Sequence, residues 1–271
     1  MLRPALRHAI DGDQLRLHYQ PLVEIATGEI LGVEALVRWQ NPELGLLPPA
    51  RFISLAETSG LMVPLGNWVL NEAMRQCREW KGAGLAVPTI SLNVSAVQLR
   101  ERLFCEALTQ LLARNDVEAS QFEIELTEGV MIDASDEMTL STLNRLRAAG
   151  FGLAVDDFGA GHASFRYLRD FPISRIKIDQ AFTRHMAVEP NNASIIRAIL
   201  QIARTSNLDV VAEGIETAQQ RDFLRDEGCR IGQGFFYSKP LSAEEFAGLL
   251  LRQARLPEPA KSRKGRRPAA M

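Results

Sequence analysis

Apolar positions along the chain change period several times, and each change marks an element. A helical stretch over 2–10 leads into two strand-like runs, 15–25 and 29–39, separated only by the turn residues Ala26-Thr27-Gly28-Glu29. A link that short makes the two strands antiparallel. After Pro49 the spacing turns helical through Phe52, Leu55, Ala56, Leu65, Trp68, Val69 and Met74, stopping at Gly82 and Gly84. Six short apolar runs follow, at 89–94, 121–126, 152–156, 174–179, 209–213 and 229–233. Amphipathic stretches of helix length alternate with them, for example 96–114, 135–149, 191–206, 217–227 and 242–253. Strand then helix, repeated, encodes a parallel sheet. Eight strands, the first antiparallel to the second, favour closure, so the predicted fold is α/β, a TIM-like (β/α)8 barrel modified by one antiparallel strand. An open doubly wound sheet is the alternative.

In such a barrel the active site lies where strands end, so polar residues at those ends carry the chemistry. The second strand holds Glu34, the third ends at Asn93 and the fourth carries Glu125. The fifth ends at Asp156-Asp157, the sixth carries Lys177 and Asp179, and the last two end at Glu213 and Gln233. Taken singly, each acid reads as a solvated edge or half an ion pair. Together they repel, since two charges 4 Å apart cost about 4 kcal/mol at an effective dielectric near 20. Protonation or a cation must relieve that repulsion, and oxygen-only ligands suit Mg²⁺ or Mn²⁺. Neighbouring strand residues point to opposite faces, so Asp156 and Asp157 reach one centre only where the strand breaks, which Phe158-Gly159-Ala160-Gly161 can provide. A pair so placed can bridge two metal ions. Glu123 shares the strand face of Glu125 and receives no role.

A formal net charge of −2 removes any global field for a nucleic-acid polymer or a membrane surface. The cysteines, Cys77, Cys105 and Cys229, form no CxxC pair, which disfavours a zinc site or disulfide framework and points to a reducing cytoplasm. No apolar run reaches the roughly 18 residues a bilayer requires. One domain over 1–256 is expected, followed by a basic tail, 257–271, whose Lys261, Arg263, Lys264, Arg266 and Arg267 have nothing apolar to pack with and read as solvated and disordered.

The run Glu34-Ala35-Leu36-Val37-Arg38-Trp39 resembles the signature of the EAL-domain family, bacterial phosphodiesterases that open cyclic di-GMP to linear pGpG. Tyr19-Gln20-Pro21, Ser91-Leu92-Asn93-Val94-Ser95 and Glu125-Leu126-Thr127-Glu128 extend the likeness, as do Asp156-Asp157-Phe158-Gly159, Ile176-Lys177-Ile178-Asp179, Ala212-Glu213-Gly214-Ile215-Glu216 and Gln233-Gly234-Phe235 with Lys239-Pro240. The resemblance implies that Glu34, Asn93, Glu125, Asp156 and Asp157 hold two Mg²⁺ or Mn²⁺ ions, Asp156 bridging, with Glu213 in the second ion's shell. It implies catalytic duty for Glu34, Glu213, Lys177, which orients or deprotonates the attacking water, and Gln233, which positions it. Gln20, Leu36, Arg38, Asp179, Phe236 and Pro240 would meet substrate, Arg38 at a phosphate and Phe236 with Pro240 at a guanine. Glu128 would anchor the loop after Asp157. Partners implied are cyclic di-GMP, a second copy in a homodimer, and an N-terminal sensor or GGDEF-type domain. His162 and Ala163 stand where the family has Tyr and Ser, and Gly129 where it has Ser, which bears on dimer coupling more than on metal binding. The rival readings are a non-catalytic EAL receptor or protein-interaction module, and an unrelated metal-dependent barrel enzyme.

Overall fold

In the computed structural model, residues 2–133, 137–159, 171–186, 189–252 and 256 are described. The His162–Ala163 loop and the 257–271 tail lie outside the described residues. After helix α1 (Leu2–Asp11), strands β1 (Leu15–Glu24) and β2 (Ile30–Asn41) form the expected hairpin, with Gln20 opposite Glu34. Parallel strands β4 (Thr89–Asn93), β5 (Phe122–Thr127), β6 (Gly152–Phe158), β7 (Arg175–Ile178), β8 (Asp209–Ala212) and β9 (Ile231–Gly232) follow in spatial order, and β9 pairs antiparallel with β1 to close the barrel.

The predicted barrel is therefore present, with β1 antiparallel to both neighbours. A further strand, β3 (Gly45–Leu47), pairs with the far end of β2 outside the closed ring. Three residues abutting Pro48-Pro49 give no period to read, which is why the sequence conceals it. The single helix expected over 96–114 is two, α4 (Ala96–Leu99) and α5 (Phe104–Asn115). Leu99 and Phe104 are both buried, yet five residues apart they would face about 140° away from each other on one continuous helix, so the chain breaks between them.

The strands alternate in an unusual sense. Phe122, Ile124 and Leu126 of β5, like Ile176 and Ile178 of β7, join the main core together with residues of the outer helices. The long helix α3 (Met62–Gly82) covers its share of that face with Leu65, Val69, Leu70, Ala73, Met74, Cys77 and Trp80. The positions between them, Glu123, Glu125, Arg175 and Lys177, are left to the barrel interior. Burial that holds a strand on its outer face thus delivers charges to the inner one. A separate small apolar cluster, Leu22, Val211 and Ile231, fills the interior on the β1, β8 and β9 side.

Candidate metal centre and cleft

Lys177 sits at the focus of the upper interior. Its Nζ lies 2.8 Å from Glu125 Oε2, 2.7 Å from Glu213 Oε1, 3.2 Å from Asp156 Oδ1 and 3.3 Å from Glu34 Oε2. The ammonium is fully buried. Burial would strip its proton, but the surrounding acids, led by Glu125 and Glu213, overcome that and hold its pKa well above the usual lysine range.

The acids do not respond alike. Glu34 is held below the ordinary carboxylate range: burial opposes its charge, and Lys177 outweighs that together with hydrogen bonds from Gln233 and Asn93. Gln233 Nε2 donates to Glu34 Oε2 at 2.7 Å and Asn93 Nδ2 to Glu34 Oε1 at 2.7 Å. Gln20, opposite Glu34, accepts from Gln233 at 3.2 Å and donates to the Ser238 carbonyl at 3.1 Å. Glu125, by contrast, is pushed well above its usual range by burial, with Glu34 and Asp156 adding to the rise. Burial likewise raises Glu213 to about 8 and, with the charges of Asp156 and Asp179, Asp157 to about 6.

Asp156 and Asp157 do reach one centre. Asp157 takes φ +53°, a left-handed conformation that a non-glycine residue seldom adopts, and the β6–β7 register shifts between Val155 and Phe158. The strand bulges at Asp157 itself, before the glycines, and resumes its pairing at Phe158. Glu128, at the start of α6 (Glu128–Asp133), accepts the Gly159 N–H at 2.9 Å and ties down the chain that follows this bulge. One oxygen each of Asp156, Asp157 and Glu213 lies within 4.8 Å of the others. Glu125 Oε1 and Gln233 Oε1 are buried, with no hydrogen-bond partner among the described residues. Elevated acids, orphaned oxygens and an all-oxygen donor set fit a hard divalent cation.

Above these groups opens a cleft of roughly 270 Å³. Gln20, Glu34, Leu36, Arg38, Asp156, Glu213, Gln233 and Pro240, all named from sequence, line it. Arg38 is half-buried, donates to the Val37 carbonyl at 2.9 Å, and has no carboxylate within ion-pair distance among the described residues. Two expected substrate contacts, Phe236 and Asp179, are not among the residues that line the cleft. Phe236 packs edge-on against Tyr237, with the Arg221 guanidinium over its ring, and the aromatic residue lining the cleft is its neighbour Phe235, which is 53% exposed and topped by Lys239 Nζ at 5.7 Å. Asp179 caps helix α8 (Gln180–His185), accepting from Ala181 N at 2.6 Å, and its charge contributes to the raised Asp157. Sequence reasoning missed Gln180 and Arg184, one helical turn apart on α8, and the partner of Arg184, Glu216, at 2.9 Å; all three line the cleft. Their position just past the ends of β7 and β8 was the available signal.

The family model described as "EAL domain" matches residues 3–240. The chain is 43% identical over 241 residues to cyclic di-GMP phosphodiesterase PdeR of Escherichia coli (strain K12), covering 89% of this chain and 36% of that protein. It is 42% identical over 240 residues to the bifunctional diguanylate cyclase/cyclic di-GMP phosphodiesterase MucR of Pseudomonas aeruginosa, covering 89% of this chain and 35% of that one. The solved PaMucR phosphodiesterase in complex with c-di-GMP superposes with a TM-score of 0.87 at 41% identity, over 91% of this chain and all of that one. The chain therefore spans about a third of the length of the full-length relatives it matches.

Proposed function

Because the chain belongs to the EAL-domain family, we propose that it hydrolyses cyclic di-GMP to linear pGpG in a metal-dependent reaction within the cytoplasm. The observation that carries this reading is the gathering of Asp156, Asp157 and Glu213 oxygens beside a buried lysine, beneath a cleft that also presents Arg38. Glu34, Asn93, Glu125, Asp156, Asp157 and Glu213 would hold two Mg²⁺ or Mn²⁺ ions. Bound there, such ions would activate water and offset the charge developing on the phosphate.

The protein's own groups account for the rest. Arg38, with no carboxylate at ion-pair distance among the described residues, offers its planar fork to a phosphate oxygen pair. Lys177 keeps its proton among the acids and serves to orient the attacking water, which Gln233 helps to place by its Oε1, unpartnered among the described residues. Gln20 holds Gln233 and the 238 carbonyl, so the wall carrying Pro240 is fixed relative to the acids. The exposed Phe235 face suits a purine ring. A homodimer and an N-terminal sensor or GGDEF-type domain complete the proposal.

The test is chromatographic detection of pGpG from cyclic di-GMP with Mg²⁺ or Mn²⁺ and an EDTA control. Metal-dependent product is expected; tight cyclic di-GMP binding with no product would make the chain a receptor instead.

A further inference from the structure

Beneath Lys177 and Glu125 lies a second ion pair that the proposed chemistry does not use. Arg175 and Lys177 on β7, and Glu123 and Glu125 on β5, are each two residues apart on the inner face, about 6–7 Å along a strand. Arg175 Nη1 donates to Glu123 Oε1 at 2.7 Å, and Ser91 Oγ donates to the same oxygen at 3.1 Å. Glu123 is 4% exposed. The pair spans β6, which lies between β5 and β7, and β6 makes room for it. A Cβ at Gly152 would sit 3.2 Å from Glu123 Cβ and Cγ and 3.3 Å from Oε2, and the next inward residue is Ala154.

Two features argue that this bridge does more than fill space. An apolar pair of similar volume is often as stable as a buried ion pair, which must first repay its desolvation, and the other half of the same floor is filled with Leu22, Val211 and Ile231. The β6–β7 ladder, moreover, shifts register between Val155 and Phe158, beside Lys177. The backbone hydrogen bonds that would set β7 against the β5–β6 side are therefore interrupted at the level of the acids. Resting on the function proposed above, we propose that Arg175–Glu123 is a positioning strut: it crosses β6 one tier below the metal centre and fixes the spacing of Lys177 and Glu125.

The test compares Arg175→Met, Arg175→Lys and the repacked double variant Glu123→Leu/Arg175→Met with the wild type. Three quantities are read: melting temperature, kcat and KM for cyclic di-GMP, and Mn²⁺ affinity by calorimetry without substrate. Arg175→Met is expected to lower kcat and Mn²⁺ affinity by about tenfold each, the size seen when a partner behind metal ligands is lost, with KM changed less than about twofold. Arg175→Lys recovers part of both. The double variant regains the melting temperature but not kcat or Mn²⁺ affinity. A double variant with wild-type kcat and Mn²⁺ affinity would overturn the strut and reduce the pair to packing. Because Mn²⁺ affinity is read without substrate, a wild type that binds Mn²⁺ but leaves cyclic di-GMP intact defeats the proposed function while the strut is still judged.

Discussion

A single buried cation shared by four carboxylates makes Lys177 the residue on which the site's charge balance turns. Lys177→Met removes the group assigned to orient water, so kcat falls by about 10² or more. The same change acts on stability with a pH signature. At pH 5 Glu213, raised to about 8 by burial, carries its proton and needs no cation, whereas at pH 8 it is losing it, so the stability gap between variant and wild type widens as pH rises. Thermal unfolding at the two pH values checks this; an equal gap would place the neutralising charge elsewhere. Arg38 answers to a different test. Lysine keeps its charge but not its planar pair of donors, so Arg38→Lys should raise KM for cyclic di-GMP by about tenfold while kcat moves much less, the mark of a group that grips bound and reacting substrate alike.

At the level of elements, the decisive piece is the bulged end of β6. Gly159 has φ +97°, and a Cβ there would come within 2.9 Å of Phe182 Cε2 on α8. Gly159→Ala should therefore cost roughly 1–3 kcal/mol and lower kcat as well, because the same residue donates to Glu128 and follows the paired aspartates. A urea midpoint and a kinetic assay on one preparation read both effects; a loss of stability with kcat intact would separate the turn from the site. This strand also shows what the sequence could and could not reveal. Alternation in Phe122-Glu123-Ile124-Glu125-Leu126 and Arg175-Ile176-Lys177-Ile178 is legible because outer-face burial forces it, and it sets Glu125 and Lys177 on the inner face. The left-handed Asp157 was not legible, since residue type does not announce a strained φ in a non-glycine. The sequence named Phe236 and not Phe235, because β9 ends at Gly232 and the turn that follows ends the period that would have oriented the two rings. The Arg175–Glu123 bridge stayed hidden for a related reason: it joins strands that are not neighbours, and no local pattern links them.

For the molecule as a whole, concentrating acids at one mouth couples folding to both protons and metal. Asp157 titrates at about 6 in the fold against an ordinary 3.8, and Glu213 at about 8 against 4.5. Between each pair of values the folded state holds more protons than the unfolded chain, so with these groups dominant the stability of metal-free protein falls as pH rises from about 4 to about 8. A bound divalent cation reverses the sense, because it binds the deprotonated carboxylates and must displace those protons. Stabilisation by Mn²⁺ should then be small near pH 5 and grow toward pH 8, by RT ln(1 + [Mn²⁺]/Kd) with a Kd that tightens as the acids ionise. Melting curves at fixed Mn²⁺ and in EDTA across that range check the argument. Two curves that run parallel would mean that metal and protons do not compete for the same oxygens, and that Asp157 and Glu213 lie outside the metal's shell.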